Sequence, residues 1–285
     1  AKFPFINGNL FKDNISTPAF NSKMRNLLIE ASDFNWSKVS PAIFGSLFQT
    51  VMNPEERRGG GSHYTSEANI MKVIKPLFLD DLTKEFETIN SRKDNHRIKE
   101  LERFQIKLSN LKFLDPACGA GNFLIVAYRE IRRLELKIIE EIHDKRKQLL
   151  DVSILSKVDV DQFFGIEINE FSAHIAEVAL WMMDHIMNNE LSKDYGIAYT
   201  RIPLKNHPKI VNTDALEIDW NEILPSSECS YIFGNPPYGG AKYQTEKQRD
   251  QIKKIANIGK SGGTLDYVCG WLLKAAQYMD KKTLI

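Results

Sequence analysis

The sequence predicts an α/β fold in which a mostly parallel sheet carries helices on both faces, behind a helical N-terminal segment. Three observations carry the prediction. From residue 110 onward, short apolar runs alternate with long amphipathic stretches. Each apolar run ends abruptly in glycine, proline or acidic residues. The runs also lack the apolar/polar alternation of a half-exposed sheet, which is how strands buried on both faces read.

Taken in order, "NSKMRNLLIEASDFNW" and "SPAIFGSLFQTVM" place apolar residues at helical spacing from Ser22 to Met52, with Ser40 as a cap and Pro41 at a first helical position. "NPEERRGGGSHYTSE" is a glycine loop, and "EANIMKVIKPLFLDDL" the helix after it. The charge-dense "SRKDNHRIKELERFQIKL", Ser91 to Leu108, reads as a solvated amphipathic helix. "LKFLD" is then a strand, "GNFLIVAYREIRRLELKIIEEI" a helix, "FFGIEIN" a second strand and "EFSAHIAEVALWMMDHIM" its helix. "IVNTDAL" and "CSYIFGNPPY" supply two further strands. "GTLDYVCGWLLKAAQYM" is a last helix before the apolar "TLI", so the chain is expected to be a piece of a longer polypeptide.

Composition narrows the class less than the pattern does. The 285 residues are 42% hydrophobic and 26% charged, ordinary for a globular protein, and the net charge of +1 decides nothing about a polyanionic partner. Cys118, Cys229 and Cys269 form no C-x-x-C pair, and the six histidines include no H-E-x-x-H, so no metal is expected. Widely spaced cysteines, no membrane-length apolar run and no signal-peptide core suggest a reducing, cytoplasmic setting.

Two loops carry the chemistry. In "FLDPACGAGNF", Asp115 and Pro116 stop a strand, and Gly119 and Gly121 remove side chains where the backbone turns before a helix. A G-x-G alone fits a ligand loop or an ordinary turn. The second strand ends on Glu167, where a carboxylate accepts the hydroxyls of a ribose in dinucleotide folds. The glycine spacing departs from G-x-G-x-x-G, however, and Asp115 would repel a pyrophosphate. A nucleoside with a cationic amino-acid end suits the pair better. S-adenosylmethionine offers an ammonium to Asp115 and a ribose to Glu167.

"DPACGAGNF", "GIEIN", "NTDAL" and "NPPY", in that order and preceded by "GSHYTSE", resemble motifs I to IV and X of the gamma-type DNA adenine-N6 methyltransferases. With "FPFINGNLF" and "GTLDYVCGWLLKAA", the resemblance reaches the methyltransferase region of type IIG restriction-modification enzymes and covers nearly the whole chain. It implies a Rossmann-like class I methyltransferase core over residues 110–285, cut before a target recognition domain, and a helical segment over 1–109 that supplies the motif X-like loop. S-adenosylmethionine would be bound by Asp115, Pro116, Ala117, Gly119, Gly121, Asn122 and Phe123. Thr65, with Tyr64 or Ser66, would reach its carboxylate. Glu167 would hold the ribose, Ile168 would pack on the adenine, and Asp214, with Ala215 beside it, would accept from the exocyclic amine.

The resemblance also gives "NPPY" a task. An aromatic amine shares its lone pair with its ring, so it must be held where it can attack. The Asn235 side-chain oxygen and the Pro236 carbonyl would accept its two hydrogens, and positioning would supply most of the rate. Pro236 and Pro237 stiffen the loop, and Tyr238 offers a face to an extruded base. Lys242, Lys247, Arg249, Lys253 and Lys254 then form a basic stretch suited to DNA phosphates, or a solvated helix face, and "KSGG" reads as a substrate-covering loop. The expected partners are DNA and further domains of the same polypeptide, for target recognition and, if the parent enzyme cuts DNA, for a nuclease. The rival readings are a cofactor- or DNA-binding module without catalysis, and an RNA or protein N-methyltransferase.

Overall fold

The computed structural model describes residues 19–34, 43, 65–143, 155–195, 208–257, 264–279 and 283–284. Tyr64, most of the glycine loop, "KSGG" and, apart from residue 43, the helix expected after Ser40 lie outside them. The first helix, α1 (Ser22–Asp33), starts where the Asn21 side chain accepts from the Met24 amide at 2.9 Å, and it buries none of its residues.

Next, α2 (Glu67–Ile74) runs through a π-helical turn, Lys75–Leu79, into α3 (Asp80–Asn90). Pro76 explains the widened turn, because it has no N–H to give and its ring crowds the carbonyl four residues back. The ladder slips instead to the Asp80 N–H bonding the Lys75 carbonyl. The next helix, α4, spans Arg97–Ser109 rather than beginning at Ser91. Asp94 is the reason: its carboxylate accepts from the His96 amide at 2.9 Å and from the Arg92 guanidinium at 3.0 Å, closing a local turn that competes with helix.

Among the described residues the sheet has four strands, β1 (Phe113–Asp115), β2 (Phe163–Glu167), β3 (Lys209–Asn212) and β4 (Tyr231–Ile232), in the order β3-β2-β1-β4. All pairs are parallel, with Phe113 opposite both Phe163 and Tyr231. The "TLI" run pairs with the outer edge of β4 through a parallel bridge between Tyr231 and Leu284. Long helices α5 (Asn122–Ile142) and α6 (Glu170–Tyr195) cross between the strands, and α7 (Glu246–Ala256) and α8 (Cys269–Tyr278) follow β4.

Side chains alternate across the strands, so each face has its own core. Phe113 and Phe163 enter the cluster built with α2 to α6 and stack at a 4.7 Å centroid separation. Leu114, Phe164 and Ile166 enter the other, with Trp220, Ile252 and Trp271. Ile70, Ile74, Phe78, Leu82, Leu101 and Leu108 of the helical segment are buried in the same cluster as Phe113 of β1, so they help to position the sheet. At about 1.5–3 kcal/mol for each large apolar side chain buried, these clusters dominate the stability.

A buried polar network lies between α4, α5 and α6. Arg132 donates to the Val158 carbonyl at 3.0 Å and to Asn188 Oδ1 at 2.8 Å, and sits 3.7 Å from Glu135 and 4.0 Å from Asp184. Glu135 accepts from Gln105 at 3.0 Å and from the Val158 amide at 3.0 Å, while the Tyr128 hydroxyl donates to Asp184 at 2.6 Å. The network pins the approach to β2. No helix among the described residues is long and apolar enough to cross a membrane.

Candidate cofactor and catalytic site

Polar residues converge at the carboxyl ends of β1, β2, β3 and β4, where open parallel sheets bind ligands. After β1 the chain turns through Gly119 and Gly121, at φ +54° and +83°, both left-handed. At Gly121 a side chain is excluded twice over, since a Cβ would also lie 2.9 Å from Ala176 Cβ on α6. This contact lets α5 start close against α6. The loop is tied down by the Cys118 N–H on the Ile166 carbonyl at 3.1 Å and by Trp271 Nε1 on the Pro116 carbonyl at 2.9 Å. Phe123 points into the core, whereas Asn122 leaves its side-chain oxygen buried without a hydrogen-bond partner among the described residues.

Asp115 is 1% exposed and accepts from the Ala117 N–H at 3.0 Å. Burial pushes its pKa up to about 8, opposed by the Ala117 N–H and reinforced by the nearby Glu167 carboxylate. Glu167 is raised by burial too, although the N–H groups of Asn169 and Gly119, both at 2.9 Å, hold it down. One backbone donor on each Glu167 oxygen leaves further lone pairs for a diol.

Beside Glu167, Ile168 is 67% exposed while its carbonyl is held by Asn212 Nδ2 at 2.9 Å. An apolar side chain held outward at a strand end is a ready surface for a flat ring. Asp214 accepts from the Leu216 N–H at 2.9 Å and from Gln251 Nε2 at 2.7 Å. Ala215 is buried, and its carbonyl takes the Trp220 indole N–H and the Lys274 ammonium, both at 2.8 Å.

After β4, Asn235, Pro236 and Pro237 are half-buried and Tyr238 is 66% exposed. Asn235 Nδ2 donates to the Thr65 hydroxyl at 3.1 Å, joining the motif X-like and NPPY segments. Ser66 caps α2 without a side-chain bond of its own, and Glu67 turns to Arg129 at 2.7 Å, which holds its carboxyl below the usual range. Pro116, Gly234 and Pro236 also border an apolar cavity of about 390 Å³ against Val73 and Trp271. Asp115, Glu167 and Asp214 are not part of its lining.

The basic stretch divides. Lys242 and Lys254 are exposed, Lys247 pairs with Glu217 at 3.2 Å, Lys253 pairs with Asp250 at 2.9 Å, and Arg249 keeps its Nε buried without a hydrogen-bond partner among the described residues. Exposed pairs of this kind are worth little and open readily to a stronger anion.

Sequence reasoning missed three site residues. Gln251 of α7 bridges Asp214 and Glu217 and accepts from the Tyr267 hydroxyl at 2.8 Å. Asp266 accepts from the Gly239 N–H at 3.0 Å and so anchors the loop after NPPY. Trp271 holds Pro116. Asp266 and Trp271 sit in "GTLDYVCGW", whose family likeness was a usable signal, but nothing marks Gln251 within a polar helix.

Comparisons with known proteins identify the family and the fold. The model of the MmeI DNA-methyltransferase domain matches residues 89–284. DNA methyltransferase A of Bacillus subtilis is 40% identical over 281 residues, covering 97% of this chain and 31% of that protein. The type IIL restriction-modification enzyme MmeI, solved in complex with DNA, superposes with a TM-score of 0.89 at 48% identity, over 97% of this chain and 36% of that one. The chain thus spans about a third of the length of these relatives. By sequence and by fold, the chain belongs to the MmeI family of DNA-methyltransferase domains.

Proposed function

We propose that this chain transfers a methyl group from S-adenosylmethionine to the N6 amine of an adenine extruded from DNA, as the methyltransferase region of a restriction-modification enzyme. The observation that carries the reading is the meeting of the ends of β1 and β4: Gly234 packs against the Asp115 carboxylate, and Asn235 follows Gly234 directly in the chain. The amine-holding and cation-holding groups are therefore neighbours.

The residues fit the cofactor. A buried, raised carboxylate at Asp115 suits an ammonium, whose charge would stabilise the ionised form. The partnerless Asn122 oxygen calls for a donor, and space in front of Gly119 is open, with no atom within 4 Å of where a Cβ would stand. Glu167 keeps lone pairs for the ribose, Ile168 presents an apolar face to the adenine, and Asp214 has acceptor capacity for its amine. Ser66, the N-cap of α2 with no side-chain bond of its own, would offer its hydroxyl to the cofactor's carboxylate.

Bound at this site, S-adenosylmethionine supplies an electrophilic methyl on a sulfonium. The chain's own part is to hold the nucleophile. Asn235 Oδ1 and the Pro236 carbonyl accept the amine's two hydrogens, which orients its lone pair and favours the more basic, tetrahedral nitrogen as the bond forms. Tyr238 stacks on the extruded base, which its exposure permits. Lys242 and Lys254 meet phosphates. Target recognition, and any nuclease, would belong to further domains of the same polypeptide.

The test is calorimetry with S-adenosylmethionine followed by transfer of a tritiated methyl to duplex DNA, RNA and protein. The expected result is micromolar-range binding and label on adenine N6 of DNA. Binding without transfer to any acceptor would overturn the enzymatic reading, and label on RNA or protein alone would overturn the DNA one.

A further inference from the structure

We propose that Thr65 is a positioning residue for Asn235, fixing which end of its amide faces the substrate; the proposal rests on the methyl-transfer reading above. Asn235 Nδ2 lies 3.1 Å from Thr65 Oγ1, a contact between residues 170 positions apart. An amide has two donors on nitrogen and an acceptor oxygen of similar size, so packing alone does not distinguish its two orientations. A substrate amine needs the oxygen. If nitrogen faced it, donor would meet donor.

Thr65 supports the productive orientation: its hydroxyl accepts from Nδ2 when Oδ1 is turned to the amine, whereas donating to Oδ1 instead would set Nδ2 against the amine's hydrogens, so only one orientation satisfies both ends of the amide. Without that acceptor, the half-buried NH₂ group has no partner in the productive orientation. Thr65 is itself fixed, since it directly precedes Ser66, the N-cap of α2, and the Ser66 carbonyl accepts from the Asn69 and Ile70 amides at 2.9 and 3.0 Å. The buried face of α2, at Ile70 and Ile74, anchors that end of the helix in the core. The hydroxyl is therefore presented from a rigid element, as preorganisation requires. This assigns Thr65 to the reacting amine rather than to the cofactor's carboxylate, which is left to Ser66.

The experiment compares Thr65→Val and Thr65→Ser with the unaltered protein, in the natural full-length polypeptide that contains this sequence. Cofactor affinity is read by calorimetry, and kcat as tritium transferred to plasmid DNA from a host lacking adenine methylation. Thr65→Val should lower kcat about 10- to 100-fold at saturating cofactor and leave the S-adenosylmethionine Kd within about twofold. Thr65→Ser should retain the rate. In an Asn235→Ala background, Thr65→Val should cost nothing further. Weakened cofactor binding with unchanged kcat, or no effect at all, overturns the proposal. If the unaltered protein transfers no methyl, the methyl-transfer reading fails separately. The pairing is then read from the side-chain amide of ¹⁵N-labelled Asn235, which Thr65→Val must shift; an unmoved signal overturns it.

Discussion

Gly234 presses so closely on Asp115 that a Cβ at position 234 would stand 2.4 Å from the carboxylate oxygen. The end of β4 and the end of β1 are thereby locked at contact distance, and the Phe233 N–H on the Leu114 carbonyl at 3.1 Å holds the same register. Gly234→Ala should therefore destabilise the fold by about 1–3 kcal/mol, as overpacking does, and should displace Asn235 as well. Urea denaturation reads the first effect and methyl transfer the second. A variant of unchanged stability would mean that the contact is slack.

Removing an amine acceptor isolates the chemical step. Asn235→Ala should reduce kcat on the order of 10²–10³-fold, the scale seen when one preorganised polar group is deleted from an active site. Cofactor affinity should hold, because the proposed role gives Asn235 to the amine and not to the cofactor. Single-turnover transfer with preloaded S-adenosylmethionine checks this directly.

The raised pKa of Asp115 makes stability depend on pH in a defined direction. In the unfolded chain the carboxyl ionises near pH 3.9, about the usual aspartate value, whereas in the fold it stays protonated to about 8. Between these values unfolding releases a proton, so stability contributed by this group falls as pH rises from about 4 to about 8. Asp115→Asn should flatten that part of the profile, measured as denaturation midpoints at pH 5 and pH 8. In the native protein a cationic ligand would draw Asp115 into its ionised form. S-adenosylmethionine should then bind more tightly as pH approaches 8 and release a proton at pH 7, visible as a dependence of calorimetric heat on buffer ionisation enthalpy.

The buried network gives a prediction for stability alone. Arg132→Met would leave Glu135 and Asp184 buried without their guanidinium partner, at a cost of about 3–5 kcal/mol. Thermal denaturation should show the loss, and cofactor Kd at low temperature should stay close to that of the unaltered protein.

The strand and helix order of the core was legible because parallel strands buried on both faces leave an uninterrupted apolar signature, and "FFGIE" and "KFLD" have it. Helix ends were less so: Asp94 stops α4 short of Ser91 through a side-chain turn that periodicity does not reveal. The candidate site motifs were legible as an ordered set, since a glycine turn or a proline pair alone also fits an ordinary turn, whereas their succession along the chain carries the family likeness. Their partners were not. That Thr65 meets Asn235, or that Gln251 meets Asp214, depends on how separate elements dock, and no local pattern encodes a contact across 170 or 37 positions.

The π-helical turn at Lys75–Leu79 acquires a meaning from what stands at the other end of α2. Such a turn holds one residue more than a regular helix would need, and each residue of an α-helix advances the phase by about 100°. Deleting a single residue there would regularise the hydrogen-bond ladder, yet it would swing either the Ile70 and Ile74 face or the Phe78 and Leu82 face away from the sheet. Keeping the downstream helix docked would then rotate the threonine hydroxyl out of reach of its asparagine. An irregularity one turn long, about ten residues from Thr65, thus works as the phase-setter of the Thr65–Asn235 contact.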